Sequence, residues 1–371
     1  MEGMASLDHL KDVVTAGVAA PSPDNNQPWR FRWQQDALTI FLDRSQALPS
    51  DVRHMFDLMS AGAVIENISV AATQYGLTTE IEPLWDPDNS TEFPQVAQVR
   101  FFPGAKPDLL AQCISNRCTN RLLYSKKPLS DQHWERLKDA VAVFPDVHLH
   151  IIADRGQLKA LARLVMLADR FRFEYPAFHA EIFRQLRFTA EEAERTRDGL
   201  DFRTLALPPG SKFLIKALRS WSLMSRLNRL GLSRALTWPS YGCVLCSGGA
   251  VLLSVPEFTF AHILAAGRAF ERLWLVATQH GLALHPLGSL PIFIAHEEIL
   301  DGVKLTPQHR QLARRLASSL RELEPSLSGR VLMMVARLGY GPPCRVRSLR
   351  RPVESSLKDD EHSEGRACRV R

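Results

Sequence analysis

Residues 61–77 read AGAVIENISVAATQYGL, and residues 266–282 read AGRAFERLWLVATQHGL. The stretches align without a gap at an offset of 205 and share eight of seventeen positions, including Glu66 with Glu271 and the closing Ala-Thr-Gln-x-Gly-Leu. Between its glycines each is apolar around most of its circumference, which predicts a helix buried on all sides. Gly76-Leu77 and Gly281-Leu282 have the form of a left-handed C-cap followed by an apolar contact. Two such helices at one fixed offset predict an internal duplication: a homodimer joined into one chain, with its central helices packed on each other.

The whole chain supports a fold of that size. Its 371 residues are 45% hydrophobic and 23% charged, with seven Trp and eighteen Phe. This is the composition of a soluble globular protein, long enough for a large core without staples. The net charge of +6 is gathered in a mid-chain segment and near the C-terminus, which suits an anionic ligand, a membrane surface or nucleic acid. The opening MEGMASLDHLKD is too acidic and polar for a signal peptide. No apolar window reaches the length of a membrane-spanning helix, residues 243–256 coming nearest. Six cysteines without a secretory signal predict free thiols in a reducing compartment, the cytoplasm.

Working outward, residues 7–20 form a short amphipathic helix with Leu10, Val13, Val14, Gly17 and Val18 on one side. Pro21 stops it. Residues 21–28 cannot be a regular element: three prolines fix the backbone, while Ser22, Asp24, Asn25, Asn26 and Gln27 present hydrogen-bonding groups. Strands are expected at 29–33 and 38–41, before the first central helix. The second half restarts near Arg117, and Leu137-Lys138-Asp139-Ala140-Val141, in a helix at 130–141, echoes Leu10-Lys11-Asp12-Val13-Val14. A strand at 147–152 follows, but Val143-Phe144-Pro145-Asp146 replaces the polar loop.

The first-helix echo spans 127 positions against 205 for the central helices, so the second half carries about 78 extra residues. They fit residues 171–241, which are helical in pattern. Thr189-Ala190-Glu191-Glu192 has the form of a capping box. Residues 211–230 form an amphipathic basic helix with Lys212, Lys216, Arg219, Arg226 and Arg229 and no acid. An insertion of this kind is most simply a cover over a site, with a membrane-surface helix as the alternative. Beyond the second central helix come a turn at 285–291 and apolar strands at 292–295 and 331–338. Arg345, Arg347, Arg350 and Arg351 then crowd beside Pro342, Pro343 and Pro352. Residues 354–371 form a charged tail expected to be disordered. The halves are thus residues 1–110 and 111–353.

Candidate chemistry narrows quickly. Cys243-x-x-Cys246 with Cys113 and Cys118 could supply four thiolates. Residues 243–255, however, have the pattern of a strand, where positions three apart face opposite ways. A metal site needs convergent ligands, so none is expected. The twelve histidines make no metal-ligand spacing. G-x-S-x-G, P-loop and G-x-G-x-x-G are absent, which removes support for hydrolase, NTPase and Rossmann readings. Nucleic-acid binding lacks aromatic residues interleaved with the basic ones. What remains suits an anionic aromatic cofactor. Arg117-Cys118-Thr119-Asn120-Arg121 offers two guanidinium forks and a hydroxyl for phosphate. Residues 345–351 offer a second cluster, and 21–27 a rigid rim of amides for a flat heterocycle.

Ala20-Pro21-Ser22-x-x-Asn25-x-Gln27-Pro28-Trp29 resembles the A-P-S-x-x-N-x-Q-P-W segment of the flavin-dependent nitroreductase family. Arg117-x-Thr119-x-Arg121 resembles that family's opening R-x-S-x-R, with Thr in place of Ser. The central helices resemble its long dimer-core helix, and Arg350-Arg351 its C-terminal basic pair. Two halves in one chain with a helical insertion are most similar to the Acg-type branch, over roughly residues 5–353. The resemblance implies an α+β nitroreductase-like fold, a pseudo-dimer in one chain, with FMN at the junction of the halves. Arg117, Thr119, Arg121, Arg350 and Arg351 would hold phosphate and ribityl. Pro21, Ser22, Asn25 and Gln27 would line the ring, with Pro286 and Gly288 as backbone contacts to its pyrimidine edge. Only the first half has the ring loop and only the second the Arg segment, so one FMN per chain is expected.

The reaction implied is hydride transfer from NAD(P)H to flavin N5 and on to a nitroaromatic, quinone or similar acceptor. No side chain is singled out as a proton donor. Because the insertion can cover the flavin in Acg-type relatives, an FMN-sequestering protein with little NAD(P)H turnover is the alternative. Further association of the pseudo-dimer is left open.

Overall fold

The computed structural model describes residues 7–34 and 36–357. The first half runs α1 (Leu7–Val18), β1 (Trp29–Gln34), β2 (Ala37–Leu42), α2 (Met55–Ala72), β3 (Leu77–Pro83) and β4 (Gln95–Pro103). Its strands form an antiparallel sheet in the order β1-β2-β4-β3. The second half opens with α3 (Asp131–Ala142), β5 (His148–Ile152) and α4 (Arg155–Asp169). An inserted run follows: α5 (Phe171–Glu174), α6 (Pro176–Gln185), β6 (Leu186–Arg187), α7 (Ala190–Thr196), β7 (Leu200–Asp201), α8 (Ser211–Ala217), α9 (Trp221–Asn228) and α10 (Leu232–Leu245). The half closes with β8 (Gly249–Val255), α11 (Phe260–Gln279), β9 (Ala283–Pro286), α12 (Ser289–Glu298), α13 (Pro307–Leu323) and β10 (Val331–Gly339). Its antiparallel sheet has the order β5-β8-β10-β9. The fold is α+β.

The two repeated stretches lie in α2 and α11, which pack on each other, while α1 packs on α2 and α3 on α11. Two glycines allow the central contact. A Cβ on Gly62 would stand 2.3 Å from the Leu264 carbonyl oxygen, and one on Gly267 would stand 2.1 Å from that of Met59. Gly62 with Gly267, and Met59 with Leu264, are separated by the same offset of 205. The contact is therefore its own image across the core, as two-fold packing of like elements requires. Gly281 ends α11 with φ +67°. There Gly281 N–H donates to the Thr278 carbonyl (3.0 Å) and Leu282 N–H to that of Ala277 (2.8 Å), the Schellman arrangement.

Several expectations are corrected. Residues 292–295 belong to the helix α12, not a strand. Every residue from Ser289 to His296 is buried, and an apolar run buried on all sides has no period to distinguish the two. Cys243 lies in the last turn of α10 and Cys246 caps it, with β8 starting only at Gly249. Positions three apart on a helix are neighbours, so strand alternation is not what separates these thiols. Among the described residues, no group of three or more His, Cys, Asp or Glu is placed to hold a metal ion.

The basic stretch 211–230 is broken into α8 and α9 around Ser220, and Phe213 and Leu214 on α8 are exposed. Thr189 does cap α7, accepting from Glu192 N–H, but Glu192 returns its carboxylate to Phe188 N–H. Among the described residues one helical stretch, Val52–Tyr75, is long and apolar enough to cross a membrane by length and composition, and 94% of its window is buried; it contains the central helix α2. The tail is ordered further than expected: residues 353–356 make a short 3-10 turn and Leu357 bridges to Phe31. Residues 358–371 lie outside the described residues.

Candidate functional site: an arginine-lined cleft

Four segments converge at one end of the helical core. Residues 115–121 run beside β9, where Asn120 N–H donates to the Leu284 carbonyl (3.0 Å) and Thr119 bridges to Leu284. The loop 21–27 comes from the first half. The strap after β10 is tied down by Asn120, whose amide donates to the Pro342 carbonyl (2.7 Å), and by Arg347, which donates to that of Ser115 (2.6 Å). The fourth segment is the turn 197–204 of the insertion. Together they enclose a cleft of about 180 Å³, bordered by Arg117, Arg121, Arg347 and Arg350 and by the smaller groups Ser22, Thr119 and Thr204.

The loop is wound tightly. Asp24 (φ 49°), Asn25 (φ 60°) and Gln27 (φ 52°) all adopt left-handed backbone, a concentration of strain that neighbouring contacts must hold in place. They do so through side chains turned inward. Asn26 donates to the Asp57 carboxylate (2.9 Å) and the Gln46 carbonyl (2.9 Å). Gln27 donates to the Arg197 carbonyl (2.8 Å) and accepts from Arg351 N–H (2.8 Å). Asn25 accepts from the Arg350 guanidinium (2.7 Å) and donates to the Leu349 carbonyl (3.0 Å). One strained loop thereby clamps strap and insertion together.

The electrostatics are lopsided. Arg117 is almost wholly buried and ion-paired with Glu271 at 3.0 Å. It also donates to the Ala19 carbonyl (2.7 Å) and stacks 4.5 Å over the Trp274 ring. Burial raises the Glu271 carboxyl to about 7 against the pull of Arg117, because low dielectric disfavours its charged form. Arg350 donates to the Ala20 carbonyl and to Asn25, and burial, then the neighbouring Arg117, pull its guanidinium down to about 9. Among the described residues Arg121 reaches the Thr204 carbonyl, at 3.5 Å. Neither Arg121 nor Arg350 has a carboxylate within ion-pair distance among the described residues. Asp24, the one acid among the described residues bordering the cleft, pairs with Arg172 at 3.7 Å. Buried charges are ordinarily paired, so the cleft is built for an anion. Paired guanidinium forks beside a hydroxyl match the oxygens of a phosphate ester.

Of the residues singled out in the sequence, Pro21, Ser22, Asn25, Arg117, Thr119, Arg121 and Arg350 border the cleft. Gln27 does not: it is 1% exposed, with its amide spent on Arg197 and Arg351. Arg351 points away, reaching Gln46 (2.8 Å) and Asp198 (2.7 Å). Pro286 ends β9, and Gly288 sits against the Phe56 ring before α12; neither borders the cleft. The sequence reading missed Glu271 as the partner of Arg117, and Leu200 and Thr204 as the insertion's contribution. Glu271 had a signal, because a glutamate recurs at the equivalent position of both central helices.

No protein-family model matches the chain. An uncharacterised protein of Mycobacterium tuberculosis (strain CDC 1551 / Oshkosh) is 28% identical over 342 residues, spanning 91% of this chain and 47% of that protein. The "Putative NAD(P)H nitroreductase acg" of Mycobacterium tuberculosis (strain ATCC 25618 / H37Rv) is 27% identical over 223 residues, 55% of this chain and 65% of that protein. The chain thus spans about half to two thirds of the length of these relatives. Among solved structures, the FMN-dependent nitroreductase NfnB from Mycobacterium smegmatis, in complex with NADPH, is similar at 16% identity and a TM-score of 0.38, covering 67% of this chain and 99% of that one. The likeness to Acg-type nitroreductases therefore extends from short motifs to more than half of the sequence.

Proposed function

We propose that this chain is an FMN-dependent oxidoreductase of nitroreductase type, holding one FMN in the cleft. It takes hydride from NAD(P)H and delivers it to a nitroaromatic, quinone or similar small acceptor. The observation that carries this reading is the pair Arg121 and Arg350, set beside the Thr119 hydroxyl without a carboxylate to neutralise them. The phosphate of FMN supplies the missing charge. Support for the flavin comes from the loop 20–29 and from relatives named as NAD(P)H nitroreductases.

FMN, when bound, supplies the two-electron chemistry between nicotinamide and acceptor. The chain's own residues bind and orient. Arg121, Arg350 and Thr119 grip the phosphate end, and Arg117, fixed by Glu271, adds positive potential. Pro21, Ser22 and Asn25 rim the ring, with Gln27 and Arg351 as positioning residues behind them. The strained backbone at 24–27 fixes that rim without side-chain freedom to lose on binding.

A second reading is favoured by one specific feature. Ligand sites for drug-sized molecules start at roughly 300 Å³, and the cleft offers about 180 Å³. A three-ring heterocycle with its polyol chain needs more room than that, and Leu200 and Thr204 of the insertion border the space. A chain in which the turn 197–204 closes over the flavin would store FMN and turn over slowly.

The visible spectrum of protein titrated with FMN, before and after anaerobic NADPH, separates the readings. Saturation at one equivalent and bleaching by NADPH are expected of the oxidoreductase. A bound flavin that NADPH fails to bleach favours storage. No uptake at all overturns both, and saturation at two equivalents overturns the single site.

A further inference from the structure

Cys118 and Cys344 stand 226 positions apart in sequence, yet their Sγ atoms lie 2.8 Å from each other. A disulfide, at about 2.05 Å, needs a further approach of only about 0.8 Å. Cys118 sits between Arg117 and Thr119 and borders the cleft. Cys344 begins the strap that carries Val346, Arg347, Ser348 and Arg350 to the cleft's far wall. Both are free thiols and neither is fully buried.

We propose that Cys118 and Cys344 are a redox-active dithiol at the mouth of the cleft, oxidised by small hydroperoxides. The Cys118 thiolate attacks the outer peroxide oxygen. The O–O bond breaks, water or an alcohol leaves, and Cys118 becomes a sulfenic acid. Cys344 then attacks that sulfur and expels water. In sum, two thiols and one hydroperoxide give one disulfide, water and the reduced oxygen product. A small dithiol returns the pair to its starting state by exchange.

The surroundings assign the roles. The contact with Cys344, then Arg347 and Arg117, lower the Cys118 thiol against the opposing effect of burial, which favours the thiolate form on that sulfur. Cys344, which accepts from Cys118 and reaches the Thr119 carbonyl at 3.7 Å, is pushed upward and is suited to the resolving step. The attacking sulfur is the one that faces the cleft, where a small oxidant enters. The disulfide joins the wall bearing Arg117, Thr119 and Arg121 to the strap bearing Arg347 and Arg350, so oxidation fixes the spacing of the anion-binding groups. This inference is independent of whether the cleft holds FMN.

The test uses the full chain, reduced with dithiothreitol, desalted, and exposed to one equivalent of hydrogen peroxide at pH 7. Thiols are counted after denaturation, and unalkylated tryptic peptides are mapped by mass. The expected result is a fall from six thiols to four, with residues 118–121 (CTNR) linked to residues 338–345 (LGYGPPCR), reversed by dithiothreitol. With Cys344→Ser, oxidation should stop at a dimedone-trappable sulfenic acid on Cys118. With Cys118→Ser, Cys344 should remain reduced at the same dose. A wild-type chain that keeps six thiols, or that links other cysteines first, overturns the proposal. The wild-type map decides even if a variant fails to fold.

Discussion

The substitution Glu271→Gln should change how stability depends on pH. In the folded chain the Glu271 carboxyl is wholly buried and holds its proton up to about 7, against an ordinary 4.5. Each tenfold difference in proton affinity is worth about 1.36 kcal/mol, so the gap amounts to about 3 kcal/mol. The sign follows from linkage. Between pH 4.5 and 7 the folded chain binds a proton that the unfolded chain has released, so this group's contribution is complete below 4.5 and is lost as pH rises through 7. The amide that replaces the carboxyl has nothing to titrate. From pH 5 to pH 8 the variant should therefore gain about 2–3 kcal/mol on the wild type, the remainder of the gap having been lost below pH 5, whatever the offset between them at pH 5. Other buried groups that titrate, such as Asp51, Glu181 and His296, are common to both chains and cancel. The assay is urea unfolding followed by tryptophan fluorescence at pH 5, 6, 7 and 8, with Trp274 as a reporter beside Arg117. Parallel profiles, or a gain by the wild type, would refute the reasoning.

Three further outcomes follow from the same geometry. Arg350→Ala removes charge-assisted bonds worth about 1.5–3 kcal/mol and should weaken FMN or inorganic phosphate binding roughly 10- to 100-fold by calorimetry. Gly267→Ala drives a Cβ to 2.1 Å from the Met59 carbonyl. Overpacking of this kind costs about 1–3 kcal/mol, and urea midpoints should fall accordingly, whereas an unchanged midpoint would mean that the central helices are not in contact. Gln27→Ala strands the Arg197 carbonyl and Arg351 N–H at about 1–3 kcal/mol for each buried group left unpaired. It should therefore loosen the turn 197–204, read as faster limited trypsin cleavage after Arg197 or Arg203.

Elements with a period or a terminator were legible. The amphipathic helix α1 stops before Pro21, and β1 alternates between buried and half-buried positions over its first four residues. The closing glycines of the repeated stretches do cap at positive φ. Their doubled pattern also predicted that the two central helices pack on each other, as α2 and α11 do. Runs buried on every side were not legible, because burial erases the period: α12 looked like a strand. The break between α8 and α9 was hidden too, since no proline or glycine marks Ser220. At the site, the guanidinium clusters were visible as composition, but which ones the fold neutralises was not. Arg351 meets Asp198, and Arg117 meets Glu271 from 154 positions away. The Cys118–Cys344 pair had no sequence signal, because proximity across 226 positions is a property of the strap's path.

The glutamates at matching positions of α2 and α11 explain why the two ends of the helical core differ in charge. Glu66 is closed off by Arg268 (3.1 Å) and Arg272 (2.9 Å), and Arg272 also meets Asp108 (3.0 Å). Both arginines come from α11, so that end of the core is neutralised by its own helices and needs nothing further. Glu271 faces no arginine from α2. Its partner, Arg117, arrives on a separate segment, and that segment brings Arg121 with it. The strap adds Arg347 and Arg350 on the other wall, and these positive charges exceed what Glu271 and Asp24 can offset. An anion would balance the charge at the Glu271 end, whereas the Glu66 end is balanced by the side chains around it. The insertion follows the same asymmetry: Arg197, Gly199 and Thr204 contact Gln27, Asn25 and Arg121, all at the end with excess positive charge. Two like helices thus present different ends, because Glu66 recruits its counter-ions from the neighbouring helix and Glu271 draws its partner from a separate segment.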